Sequence, residues 1–107
     1  MILYGIPTCD TCRKAKKALE AAGQAVTFRD VRAEPLKADE IGTFLAAFGD
    51  RLVNRASTTW RGLSETERAE TPEALLAAHP ALMKRPILQS DDRLTLGWDA
   101  KTQAEWL

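Results

Sequence analysis

The chain opens on a short apolar run, Ile2 to Ile6, interrupted by Pro7-Thr8, which predicts a buried strand. The period then changes. Ala15, Ala18, Leu19 and Ala22 recur at i, i+3, i+4 and i+7, while Arg13, Lys14, Lys16, Lys17 and Glu20 take the other face. This is the pattern of an amphipathic helix, and Gly23 is placed to end it. Val26 and Phe28 alternate with polar neighbours in a second strand, from Ala25 to Val31. Strand, helix and strand within about thirty residues predict a βαβ unit with parallel strands.

Past Glu34-Pro35 a helical stripe returns with Ile41, Phe44, Leu45 and Phe48, closed by Gly49. The stretch from Arg51 to Arg61 shows no clear period and is expected to be a loop crossing a functional face. Ser64-x-x-Glu67 is a capping box and predicts a short helix starting at Ser64. Thr71-Pro72 has the form of an N-cap followed by proline at the first helical position, introducing a helix through Leu75 and Leu76. Pro86-Ile87-Leu88-Gln89, the polar Ser90-Asp91-Asp92 and the stretch Arg93 to Leu96 read as a hairpin. Gly97-Trp98 leads to Asp99, the expected cap of a last helix carrying Trp106 and Leu107. Without an internal repeat or linker, residues 1–107 are expected to form one domain. The order βαβ, helices, ββα is that of an α/β, thioredoxin-like (glutaredoxin-like) domain with helices inserted between its halves.

Composition narrows the function. Fifteen basic residues balance fifteen acidic ones, so the broad positive field that draws proteins to nucleic acid or anionic membranes is missing. No apolar run is long enough to span a bilayer, and Met1 to Gly5 shows neither a basic lead nor a secretory cleavage pattern. The expectation is a cytoplasmic protein that binds neither nucleic acid directly nor membrane.

Only two cysteines are present, Cys9 and Cys12. A bridge between them closes too small a loop to staple distant elements, so reactivity explains them better than support. Zinc needs four ligands, and the sole histidine, His79, has no partner for it, so no metal is expected. Cys9-Asp10-Thr11-Cys12 follows a strand and opens a helix, where unpaired N–H groups and the positive end of the dipole favour a thiolate. Arg13 and Lys14 are expected to add positive charge. Cys12, one turn on, is placed to reach back to the Cys9 sulfur as a resolving thiol. The alternative is inert packing of two small residues. His79 is expected to be a helix-end residue, Trp98 and Trp106 core anchors, and Trp60 a residue bordering the cleft.

Leu3-Tyr4-Gly5-Ile6 into Cys9-Asp10-Thr11, Arg13-Lys14-Ala15, Asn54-Arg55-Ala56-Ser57-Thr58-Thr59-Trp60-Arg61, Lys84-Arg85-Pro86-Ile87-Leu88 and Leu96-Gly97-Trp98 fall in one order. Together they resemble the arsenate reductase (ArsC)/Spx family, in its YffB-like branch. The resemblance implies that Cys9 is the nucleophile, with Cys12 beside it in the catalytic pair. Arg85 matches the oxyanion-binding arginine before a proline, Pro86, that is often cis and faces the cysteine. Arg55 stands nearest to a second anion-binding arginine, and Thr11 joins Pro86 in the expected substrate-binding set. Where arsenate reductases carry a further arginine, near Leu96-Gly97, this chain has none, so arsenate is the less expected substrate.

The reading that follows is a thiol-dependent reductase with no bound cofactor. Glutathione would be its co-substrate, a small anionic or oxidised thiol its substrate, and glutaredoxin a candidate partner. The rival, also implied by the resemblance, is a Spx-like regulator that binds RNA polymerase through a Cys9–Cys12 disulfide switch.

Overall fold

The computed structural model describes residues 1–107. It follows the pattern closely: β1 (Ile2–Gly5), α1 (Asp10–Ala21), β2 (Thr27–Asp30), α2 (Ala38–Phe48), α3 (Thr58–Arg61), α4 (Glu65–Arg68), α5 (Pro72–Ala78), β3 (Ile87–Ser90), β4 (Arg93–Leu96) and α6 (Ala100–Trp106). The chain divides into two units, one made of residues 1–31 and 85–107, the other of residues 32–84.

In the first unit a four-stranded sheet runs in the order β2-β1-β3-β4. β1 and β2 are parallel, with Leu3 opposite Phe28, as the βαβ reading requires. β3 runs antiparallel to both β1 and β4, and places Leu88 opposite Leu3. The hairpin between β3 and β4 turns at Asp91, whose φ of 52° lies in the left-handed region that Asp tolerates better than most residues. Leu3, Cys12, Ala15, Leu19, Leu88 and Trp106 form one buried cluster under the sheet. Of the helical stripe read from the sequence, Ala15 and Leu19 enter this cluster together with Cys12, Ala18 is only partly buried, and Ala22 is exposed at the C-cap of α1. Trp106 anchors α6 by burial and by donating from its indole N–H to the Thr95 hydroxyl at 2.8 Å. Asp99 caps the helix, its carboxylate accepting from the Thr102 N–H at 2.8 Å. Gly23, at φ 88°, supplies the conformation that stops α1.

The inserted unit holds α2 to α5. Ile41, Phe44, Leu75, Leu76 and Leu82 are buried in it. Ser64 and Glu67 form the predicted capping box, and Thr71 accepts from the Ala74 N–H at 3.2 Å with Pro72 opening α5. The segment expected to be a loop is more ordered than its sequence pattern implies. A 3₁₀ turn spans Gly49–Leu52, Val53 bridges to Met83, and Ser57 caps the single turn of α3. One-turn helices are held by caps rather than by an amphipathic stripe, so periodicity does not reveal them. No helix is long and apolar enough to cross a membrane.

Candidate active site

The site is built on the junction between β1 and α1. Pro7 and Thr8 carry the chain out of the strand, and the Cys9 N–H donates back to the Ile6 carbonyl at 3.0 Å. Cys9 is the N-cap of α1, in extended conformation (φ −81°, ψ 118°), so its sulfur lies at the helix start. The Cys12 N–H points toward this sulfur outside the geometry of a full cap hydrogen bond, and its pull is electrostatic.

Arg85 reaches the same sulfur from the start of β3. The Arg85–Pro86 peptide bond is cis and Pro86 is fully buried; the Arg85 side chain hydrogen-bonds to the Cys9 sulfur. Arg85 Nε is itself buried.

The two thiols are driven apart. Partial burial works against a charge on Cys9, but the Cys12 N–H, the Arg85 guanidinium and the Cys12 thiol outweigh it. The net effect holds the Cys9 pKa below the ordinary 9.0. Cys12 is completely buried, and burial pushes its thiol up to about 12. The Ile6 backbone works the other way, and the neighbouring Cys9 adds to the rise. Both cysteines are free thiols. The pair is therefore one partly exposed thiol whose ionisation is favoured and one buried thiol, hydrogen-bonded to it, whose ionisation is opposed.

Cys12 also has a packing role. A Cβ on Gly5 would lie 2.5 Å from the Cys12 Sγ, so the glycine lets α1 approach β1 closely enough to bury that sulfur.

Not every expected residue serves the thiolate. Arg13, expected to add positive charge, is ion-paired with Asp10 and holds that carboxyl below its usual range. With i,i+3 spacing on one helix face, the carboxylate captures the guanidinium. The forces that lower the Cys9 pKa come instead from Arg85 and Cys12. Thr11 is exposed at the second position of α1. Arg55 belongs to the inserted unit, where its guanidinium lies 5.4 Å from the centroid of the Trp60 ring and donates to the Asp50 carbonyl at 3.4 Å. Arg68 approaches the same ring at 5.6 Å and donates to the Trp60 carbonyl, so Trp60 anchors two arginines. His79 ends α5 and pairs with Glu67 at 3.3 Å. No group of three or more His, Cys, Asp or Glu residues is arranged to hold a metal ion.

A βαβ…ββα sheet with helices inserted defines a thioredoxin-like fold, and Cys9 caps its first helix. Residues 4–106 match the ArsC family, and the chain belongs to it. The chain is 36% identical over 104 residues to a protein of Haemophilus influenzae, covering 92% of this chain and 91% of that one. It is 31% identical over 103 residues to the global transcriptional regulator Spx of Bacillus subtilis, covering 91% of this chain and 79% of the regulator. Among solved structures, the YFFB protein superposes with a TM-score of 0.89 at 34% identity, covering 99% of this chain and 97% of that one.

Proposed function

We propose that this protein is a glutathione-linked thiol reductase with Cys9 as its nucleophile. The observation that carries the reading is the asymmetry of the cysteine pair, in which the Cys9 pKa is lowered and its side chain partly exposed while the Cys12 pKa is raised and its side chain buried. In the first step the Cys9 thiolate attacks a mixed disulfide between glutathione and a substrate thiol. A Cys9–glutathione disulfide forms, and the substrate leaves as a thiolate that takes a proton. A second thiol then attacks the mixed disulfide. If this is free glutathione, oxidised glutathione leaves and Cys9 returns as the thiolate. If it is Cys12, a Cys9–Cys12 disulfide forms and glutathione departs, to be restored by two further thiols. Arg85 stabilises the thiolate before attack and after release, and its planar guanidinium suits an anionic group on the substrate. Thr11 and Pro86 flank the reacting sulfur in this scheme, and the protein acts in the cytoplasm, where glutathione is abundant and reduced.

The test is the rate at which a glutathionylated peptide is reduced by excess glutathione. Wild type should exceed the rate of glutathione alone, Cys9→Ser should fall to it, and Cys12→Ser should retain most of the gain. A wild-type rate no faster than glutathione alone would overturn the reading.

Similarity to Spx and the contact between the two thiols support a second reading, a regulator switched by a Cys9–Cys12 disulfide that binds a protein partner such as RNA polymerase. It requires that Cys12→Ser abolish all redox-dependent function.

A further inference from the structure

Between residues 51 and 64 the chain carries Arg51, Arg55 and Arg61 and no aspartate or glutamate. The inserted unit concentrates the charge by drawing two guanidinium groups to one ring. The guanidinium carbon of Arg55, ahead of α3, lies 5.4 Å from the centroid of the Trp60 ring, and that of Arg68 in α4 lies 5.6 Å from it. Their hydrogen bonds go to carbonyl oxygens. Arg68 donates to the Trp60 and Arg61 carbonyls at 3.2 and 3.1 Å, and Arg55 to the Asp50 carbonyl at 3.4 Å. Neither arginine pairs with a carboxylate. Glu67, next to Arg68 in the chain, spends one oxygen on the Ser64 N–H at 3.0 Å and the other on His79 at 3.3 Å.

Carbonyl oxygens and an indole ring orient a guanidinium without cancelling its charge. Two like charges held at one ring repel each other, and an anion that reaches both relieves the repulsion. Arg55 is exposed and makes one long hydrogen bond, so its other N–H donors are open to a carboxylate in the paired geometry that arginine favours. Side chains already pinned against a ring lose little freedom on binding. Tryptophan and arginine are also the residue types that carry most of the contact energy where proteins meet.

The surroundings decide which anion fits. α4 brings Glu65 and Glu67 beside Arg68, and the chain as a whole has no net charge. A long phosphodiester backbone crossing the patch would meet these carboxylates, whereas a short protein segment can place two of its own on the arginines and stop. We propose that Arg55, Arg68 and Trp60 form a docking surface for an acidic segment of a partner protein, whose carboxylates pair with the two guanidinium groups while the indole holds them in place. The surface does not depend on the chemistry of Cys9.

The experiment is a titration of the full chain at low ionic strength with a capped hexapeptide of alternating aspartate and glutamate. ¹H–¹⁵N spectra report folding and binding together. The Trp60 indole and the Arg55 and Arg68 side-chain signals should shift, and the matching asparagine–glutamine peptide should leave them in place. Arg55→Glu should weaken the dissociation constant about tenfold or more, the effect of losing a charge-assisted pair. Lys101→Glu makes the same change in net charge at an exposed position of α6 and should bind as wild type does. Should Arg55→Glu fail to fold, Arg55→Gln is titrated in its place, with a smaller loss expected. No binding, shifts confined to other surfaces, or equal weakening in Lys101→Glu would each overturn the proposal. A six-nucleotide oligothymidylate that shifts the same signals with equal or higher affinity would overturn it in favour of a nucleic-acid surface.

Discussion

Replacing Gly5 with alanine probes the packing on which the cysteine pair depends. The new Cβ would sit 2.5 Å from the Cys12 Sγ, 3.1 Å from the Leu3 Cδ2 and 3.3 Å from the Cys12 Cβ. Comfortable heavy-atom contacts fall at about 3.5–4.0 Å, so the sulfur is too close by roughly 1 Å. Neither neighbour can swing away, because Leu3 and Cys12 are both completely buried. Overpacking of this kind costs about 1–3 kcal/mol. Loss of glycine's flexibility in the unfolded chain works the other way, by about 0.4–1 kcal/mol, and is the smaller effect. Gly5→Ala should thus be destabilised by about 1–2 kcal/mol, with Tm lowered by roughly 4–8 °C for each kcal/mol in a domain near this size. Urea denaturation of the four members of a Gly5→Ala/Cys12→Ala cycle measures the effect. Removing the sulfur should relieve the clash and give a favourable coupling of about 1 kcal/mol. A Gly5→Ala variant within about 0.5 kcal/mol of wild type, or a cycle with no coupling, would mean that Gly5 and Cys12 are not in tight contact.

Arg85→Ala should raise the Cys9 thiol pKa, and Arg85→Lys should restore it only in part, because an ammonium keeps the charge and loses the planar fork; thiolate absorbance against pH reads both. Cys12 makes stability depend on alkaline pH. Its folded pKa is raised from 9.0 to about 12, so the fold favours the neutral thiol, a contribution fully present below pH 9.0 and lost as pH rises toward about 12. Across that window the urea midpoint of wild type should fall more steeply than that of Cys12→Ser; parallel curves would contradict the assignment. Cys9 has the opposite sign: its contribution is present above the unfolded-state pKa and lost as pH falls through the depressed folded value. Asp99→Ala should lose the cap of α6 and about 0.5–2 kcal/mol of stability, read from thermal melts.

The features legible in the sequence are those that repeat or that carry local chemistry. The stripe Ala15, Leu19 gave α1 its buried face, and Ser64, Thr71 and Asp99 announced their helices because a cap is a short-range signal. Cys9, Arg85 and Pro86 stand out through motifs, and the fold brings the Arg85 guanidinium to the Cys9 sulfur. What was missed depends on partners distant in sequence or on competition between neighbours. Gly5 is a small residue at the end of a strand until Cys12 is packed over it. Arg13 looks like a thiolate partner until Asp10 claims it. Arg55 and Arg68 likewise converge on Trp60 from either side of α3 in the chain, in a segment whose pattern predicts no structure.

Site-resolved alkylation with iodoacetamide across pH asks whether Cys9 is the reactive sulfur. Each cysteine's modification is followed by mass spectrometry of the folded protein. Cys9 should be modified with a midpoint below 9.0 while Cys12 stays unmodified until the protein unfolds. A Cys9 midpoint at or above 9.0, or modification of Cys12 before Cys9, would contradict it.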